Sequence, residues 1–149
     1  MTLLSGGRSV PDSVEYIESD ELASLLRNSA LTPRVDYVII DVRDDDFEGG
    51  NIVSAINVPS HRLMEQLPAL VKQYAHVPKI IFHCALSQVR GPTSAGLYHQ
   101  AAMQRIVVAG EPQQVLVLRG GFALWQAKFK DAADLIENYN RELWESEYM

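Results

Sequence analysis

The chain has 149 residues, enough for one ordinary domain and too few for two. Hydrophobic residues make up 47% and charged residues 21%, a globular mix that excludes extended disorder. A net charge of −6 argues against broad binding to nucleic acid or to acidic membranes.

A domain of this length buries roughly 68–70% of its unfolded surface and needs no staple. The chain has one cysteine, so an intrachain disulfide and a multi-cysteine zinc site are both excluded. His61, His76, His83 and His99 show no tight ligand spacing, and no metal is expected. The N-terminus has neither the basic start nor the apolar run of a signal peptide, and no run approaches the ~18 apolar residues that span a bilayer. A cytosolic or nucleocytoplasmic protein is therefore expected.

Residues 1–13 read as a loose polar arm with Gly6, Gly7 and Pro11, and 14–149 as a single domain. Glu15 to Ile17 suits a short edge strand. Ser19 is placed to cap a helix carrying Leu22, Leu25 and Leu26 on one stripe. Val35 to Val42 is β-branched and does not alternate, which suits a strand buried on both faces. Ala55 to Val58 is a weaker strand. Ser60 is read as the cap of the next helix, with Leu63, Leu67, Leu70, Val71 and Tyr74 on its apolar face and a kink or restart expected at Pro68. Lys79 to Phe82 is a second buried strand, running into His83 and Cys84, and a helix is expected from Pro92. Val115 to Leu118 is the third. Gly120-Gly121 leads to a helix bearing Phe122, Trp125 and Phe129, and a last helical stretch is expected over Asp134 to Trp144. Five strand candidates alternating with helices predict an α/β fold with a mainly parallel five-stranded sheet and helices on both faces. Ligands of such sheets bind beyond the carboxyl ends of the strands, where Cys84 falls.

The segment IIFHCALSQVRGPTSAG carries the chemistry. Cys84 opens a loop of Ala85, Leu86, Ser87, Gln88 and Val89, and Arg90 closes it just before a helix. Unpaired N–H groups at a helix start make an anion site, and a tight loop feeding the helix adds more. Arg90 adds a planar fork matched to two oxygens of a phosphate-like ion. The same field favours a thiolate: settings of this kind bring a thiol from ~8.5 to ~3.5–7.5. One loop thus activates a nucleophile and binds its target.

At these residues the chain resembles the rhodanese superfamily, and within it the branch of cell-division-cycle dual-specificity phosphatases and the related yeast and plant arsenate reductases. Asp41-Val42-Arg43, Gly49-Gly50-Asn51-Ile52 with Ala55-Ile56-Asn57-Val58-Pro59, and Leu118-Arg119-Gly120-Gly121-Phe122 with Trp125 extend the resemblance over about residues 14 to 130. It implies a rhodanese-like fold, Cys84 as nucleophile, Arg90 as oxyanion-binding residue and Ala85 to Val89 as backbone cradle. The loop is one residue longer than in sulfur-transferring members, which counts against sulfurtransferase activity. Val89 stands where the dual-specificity phosphatases have an acid. The extra zinc-linked cysteines of the plant enzyme are missing, so zinc is not carried over and no bound cofactor is expected.

The resemblance implies, first, an arsenate reductase. Because Cys84 has no second cysteine in the chain, its resolving thiol must be external, with glutathione and glutaredoxin as electron donor and partner. A protein tyrosine or dual-specificity phosphatase working through phosphocysteine is the alternative, and a non-catalytic binding module a third. Around the loop, His83 is read as a satisfied histidine at a strand end or as a tuner of Cys84. Asp41 and Arg43 are read as an ion pair fixing the strand end. Asp44, Asp45, Asp46 and Glu48 are read as a solvated rim that could hold a general acid. Phe122 and Trp125 are read as core, and Arg119 as a weak candidate for anion capture.

Overall fold

The computed structural model describes residues 2–3, 9–10, 14–47, 49–109 and 113–148. In chain order its strands are β1 (Thr2–Leu3), β2 (Ser9–Val10), β3 (Val14–Ile17), β4 (Tyr37–Asp41), β5 (Asn51–Ile52), β6 (Ile56–Asn57), β7 (Lys79–His83), β8 (Gln114–Leu118) and β9 (Ile136–Glu137). The helices are α1 (Ser19–Arg27), α2 (Leu63–Gln73), α3 (Arg90–Ala109), α4 (Gly121–Phe129) and α5 (Arg141–Tyr148). Short 3-10 turns occupy Asp45–Phe47 and Ser60–Arg62.

Five strands form one sheet in the order β3-β8-β7-β4-β6, and every pairing in it is parallel. The sheet is thus wholly parallel where the sequence suggested mainly parallel. Side chains alternate between two cores. Val38, Ile40, Ile80, Phe82, Val115 and Val117 pack with Leu63, Leu67, Leu70 and Val71 of α2 and with Ala95 and Tyr98 of α3. Tyr37, Ile39, Ile81, Leu116 and Leu118 face the other way, toward Leu22 of α1, Phe122 and Trp125 of α4 and Trp144 of α5. Burial on both faces is the reason the central strands lack alternation. The register sets Asp41 beside His83 at the carboxyl end of the sheet, and the loops that leave that end build the site.

Several local expectations are corrected. The first buried strand starts at Tyr37; Val35 is 61% exposed in a turn where Arg34 is left-handed, with φ of 69°. Glu18 caps α1, its N–H donating to Glu21 at 3.2 Å, while Ser19 lies inside the helix and accepts from Lys128 Nζ. Ser60 heads a 3-10 turn and its hydroxyl turns to Asp44 instead of capping α2. Helix α2 runs through Pro68, which sits on the exposed face. There the carbonyl four residues back, on the exposed Met64, needs no helical donor. Helix α3 begins at Arg90, two residues before Pro92. Residues 134–140 are not helical: Ile136–Glu137 pairs antiparallel with Asn51–Ile52, Asn138 is left-handed, and the Asn140 side chain caps α5 by accepting from Leu143 N–H. Within the expected N-terminal arm, Thr2–Leu3 and Ser9–Val10 pair antiparallel, and the rest of residues 1–13 lies outside the described residues.

Candidate active site

Strand β7 delivers Cys84 to the carboxyl edge of the sheet at its centre, between β8 and β4. The loop that follows is held from outside. The first amides of α4 reach it: Phe122 N–H donates to the Cys84 carbonyl and Ala123 N–H to the Ala85 carbonyl, both at 2.9 Å. His83 Nδ1 donates to the Cys84 carbonyl as well, at 3.1 Å, because a carbonyl can only accept. With these carbonyls turned outward, loop N–H groups turn inward. Ser87 N–H and Gly91 N–H donate to Cys84 Sγ at 3.2 and 3.3 Å.

Ser87 adopts a left-handed φ of 56°, a conformation unusual without glycine, and its buried hydroxyl accepts from Cys84 N–H at 3.4 Å. Cys84 itself is only 3% exposed, so the loop closes it off from solvent almost completely. Of the predicted cradle, Ser87 is brought to the sulfur, Ala85 is half-buried, and Leu86, Gln88 and Val89 are exposed on the rim. Gly91 lies outside that prediction. Placing the helix start at Arg90 would have found it, because the first N–H groups of a helix have no helical acceptor.

The close approach of α4 requires glycine. Gly121 has φ of 58°, and a Cβ there would lie 2.5 Å from the carbonyl oxygens of both Cys84 and Ala85.

Behind the loop is a buried charged cluster. Arg43 Nε and Nη2 donate to the two oxygens of Asp41 at 3.0 and 2.7 Å, and Nη2 also donates to the Gly50 carbonyl at 2.8 Å. The guanidinium stacks 4.2 Å from the centre of the Phe122 ring. The pair is thus structural, as its expected role was: it ties β4 to Gly50 and to α4. His83 is fully buried, with Nε2 3.5 Å from Asp41 Oδ2. Burial holds its ring neutral and below the usual histidine range, with Arg43 acting in the same direction and Asp41 and the Cys84 carbonyl against it. Trp125 donates to the Leu135 carbonyl and is core, as is Phe122.

At the mouth, one carboxylate joins three loops. Asp44 follows β4 and accepts from Ser60 Oγ at 3.1 Å, from His61 Nδ1 at 2.9 Å and from Arg90 Nη1 at 3.4 Å. Its partial burial opposes ionisation, but the hydrogen bonds from His61, Ser60 and Arg90 outweigh it and hold the carboxyl below the usual range. Asp44 is therefore ionised at neutral pH and is a poor proton donor. Sequence reasoning placed Asp44 on an acidic rim without a partner and missed His61 altogether. Nothing in local spacing links positions 44, 60, 61 and 90. Arg119, the weak candidate for anion capture, pairs instead with Glu18 at 2.8 Å and stacks 4.2 Å from the Tyr16 ring centre. Among the described residues no group of three His, Cys, Asp or Glu could hold a metal ion, and no helix is long and apolar enough to cross a membrane.

A parallel sheet with a cysteine loop at its carboxyl edge, locked by the following strand–helix unit, defines a rhodanese-type domain. The chain belongs to that family: the rhodanese-like domain matches residues 19–128. The dual specificity phosphatase ibp1 of Schizosaccharomyces pombe (strain 972 / ATCC 24843) is 30% identical over 138 residues, 84% of this chain and 97% of that protein. Arsenate reductase 2.1 of Oryza sativa subsp. japonica is 31% identical over 115 residues, covering 76% of this chain and 68% of the rice protein. Among solved structures, Saccharomyces cerevisiae Ygr203w, described as a homolog of single-domain rhodanese and the Cdc25 phosphatase catalytic domain, superposes with a TM-score of 0.78 at 29% identity. That match covers 89% of this chain and 92% of the yeast chain. Relatives of both activities support a cysteine-based enzyme of the rhodanese family.

Proposed function

We propose that this chain is an arsenate reductase that draws its electrons from an external thiol of the glutathione–glutaredoxin type. Cys84 is the nucleophile, Arg90 binds the oxyanion, and the loop from Ala85 to Val89 supplies the cradle, with Ser87 and Gly91 N–H groups on the sulfur. One observation carries the choice. The carboxylate joined to the loop's arginine, Asp44, is held ionised by three donors, and the position before Arg90 is Val89. The loop therefore has no carboxylic acid ready to protonate an alkoxide, which hydrolysis of serine or threonine phosphates requires. Arsenate has no ester leaving group: when Cys84 Sγ bonds to arsenic, one As–O bond breaks and that oxygen leaves as water, its protons supplied by the hydroxyls of dihydrogen arsenate.

The second reading, a cysteine phosphatase, is favoured by the phosphatase relatives and would be confined to aryl esters, which leave easily. The deciding assay follows arsenite formation with glutathione and glutaredoxin beside phosphate release from a phosphothreonine peptide. Arsenite formed only with added thiol, and little phosphate, is the expected result. Efficient phosphothreonine turnover without arsenite would make the protein a phosphatase.

A further inference from the structure

The reductase reading leaves one proton unassigned. Cys84 is the chain's one cysteine and is only 3% exposed. The thiol that releases arsenite must come from solvent, past the mouth. An ordinary thiol has a pKa of ~8.5 and at neutral pH is only a few per cent thiolate, the attacking form. A base at the mouth would remove that barrier.

His61 is joined to the loop's arginine through Asp44. Its Nδ1 lies 2.9 Å from Asp44 Oδ1. Asp44 is an ionised carboxylate and accepts only, so the Nδ1–H points to it and Nε2 is the ring nitrogen turned to a reactant. The carboxylate fixes the tautomer and ring orientation, the part a third group plays in any nucleophile–base arrangement. The other oxygen of Asp44 meets Arg90 at 3.4 Å, which ties the imidazole to the residue that closes the loop. The His61 side chain is 68% exposed, open to a reactant arriving from water. The neighbouring arginines cannot take its place. Arg62 is engaged at 4.0 Å by Glu65, and Arg90 is a permanent cation.

We propose that His61, oriented by Asp44, is the general base that deprotonates the incoming external thiol, directly or through one water. This rests on the reductase reading. The thiol RSH passes its proton to His61 Nε2 and becomes RS⁻. The thiolate attacks the sulfur of the Cys84–arsenate adduct, forming a Cys84–S–S–R bond. The sulfur–arsenic bond breaks with its electron pair going to arsenic, so As(V) becomes As(III). Arsenite leaves after taking up two protons, one of them returned by His61. A second external thiol then reduces the mixed disulfide, and the net reaction oxidises two thiols to one disulfide.

The test is His61→Asn, which keeps a donor for Asp44 at an exposed position but has no titrating nitrogen. Arsenite formation is measured with two thiols: glutathione, mostly protonated at neutral pH, and an aryl thiol already ionised there. The expected loss is ~10²-fold with glutathione, the lower end of general acid–base contributions, and under about threefold with the aryl thiol. Alkylation of Cys84 by iodoacetamide, which uses no external thiol, should keep its wild-type rate. Equal losses with both thiols, or slowed alkylation, would show that His61 only shapes the loop. Full activity with glutathione would also overturn the proposal. Absence of arsenite from the wild-type enzyme with either thiol is a different result and removes the reductase reading itself.

Discussion

Substituting Gly121 by alanine should damage both stability and chemistry, because the new Cβ has nowhere to go. It would lie 2.5 Å from the carbonyl oxygens of Cys84 and Ala85 and 2.7 Å from the Ala85 carbonyl carbon, about 1 Å inside ordinary contact. Those atoms are backbone and cannot rotate aside, so α4 and the loop must separate. The left-handed conformation alone costs an alanine about 1–2 kcal/mol. Weakening the bonds from Phe122 and Ala123 to the two carbonyls adds about 0.5–1.5 kcal/mol each. The sum is roughly 2–5 kcal/mol, and at about 2–4 °C per kcal/mol for a chain of this size the melting temperature should fall by roughly 4–20 °C. A displacement approaching 1 Å at the loop costs activity on the order of 10²-fold.

Gly120→Ala is the control. Its Cβ would lie 2.6 Å from Leu124 Cδ2, which can rotate aside, and 2.7 Å from Leu124 Cβ, which cannot, so the first turn of α4 must give, but its nearest clashes are with Leu124 and not with the loop carbonyls. It should lose at least the ~1–2 kcal/mol of a left-handed alanine, yet keep more activity than Gly121→Ala because its clash is with Leu124 and not with the loop backbone. Circular dichroism melting and arsenite formation by the two variants decide the matter. Wild-type melting and turnover in Gly121→Ala would refute the claim that α4 holds the loop in shape.

Arg43→Ala leaves Asp41 as a buried carboxylate without its fork and should cost about 3–5 kcal/mol in urea unfolding. Cys84→Ser should abolish turnover yet still bind phosphate weakly by calorimetry. Arg90→Lys retains the charge but not the planar fork, so activity should drop by about 10²–10³, and near wild-type turnover would make Arg90 structural. His83 predicts a pH effect. Its folded pKa lies below the ordinary value of about 6.5, so the unfolded chain binds the extra proton as pH falls; stability from this group is present above about pH 6.5 and lost below it. Urea midpoints between pH 7.5 and 5.5 should therefore fall less steeply for His83→Gln than for wild type.

The sheet was legible because its central strands are β-branched, buried on both faces and separated by helices with clear apolar stripes. Tyr37–Asp41, Lys79–His83 and Gln114–Leu118 all lie within the predicted runs or one residue beyond them. Caps were less legible. Ser19 and Ser60 are good N-cap residue types, but Lys128 and Asp44, distant in sequence, claim their hydroxyls. The stretch 134–140 was misread because its apolar residues, Leu135 and Ile136, are buried where Ile136–Glu137 pairs with β5, and do not form a helical stripe. In the site, Cys84 and Arg90 could be read from one contiguous segment. The Asp44 junction could not, because Asp44, Ser60, His61 and Arg90 meet only when three separate strand ends come to one edge.

The Ser87 turn has a consequence for the order of folding. Its left-handed backbone is unfavourable alone, and the partners that turn the loop carbonyls outward, Phe122 and Ala123, lie far along the chain. The bonds within residues 84–91 stand against that strain alone, without the α4 partners, until β8 has docked on β7 and α4 has closed over the loop. The sulfur's hydrogen bonds should form late, after the strand ladder, with low φ-values at Ser87 and Gly91. In the native state the same dependence makes the loop an early unit to open, since releasing α4 frees it while β4, β7 and β8 stay paired. Hydrogen exchange at the Phe122 and Ala123 amides would then report that opening at a lower free energy than exchange from the central strands.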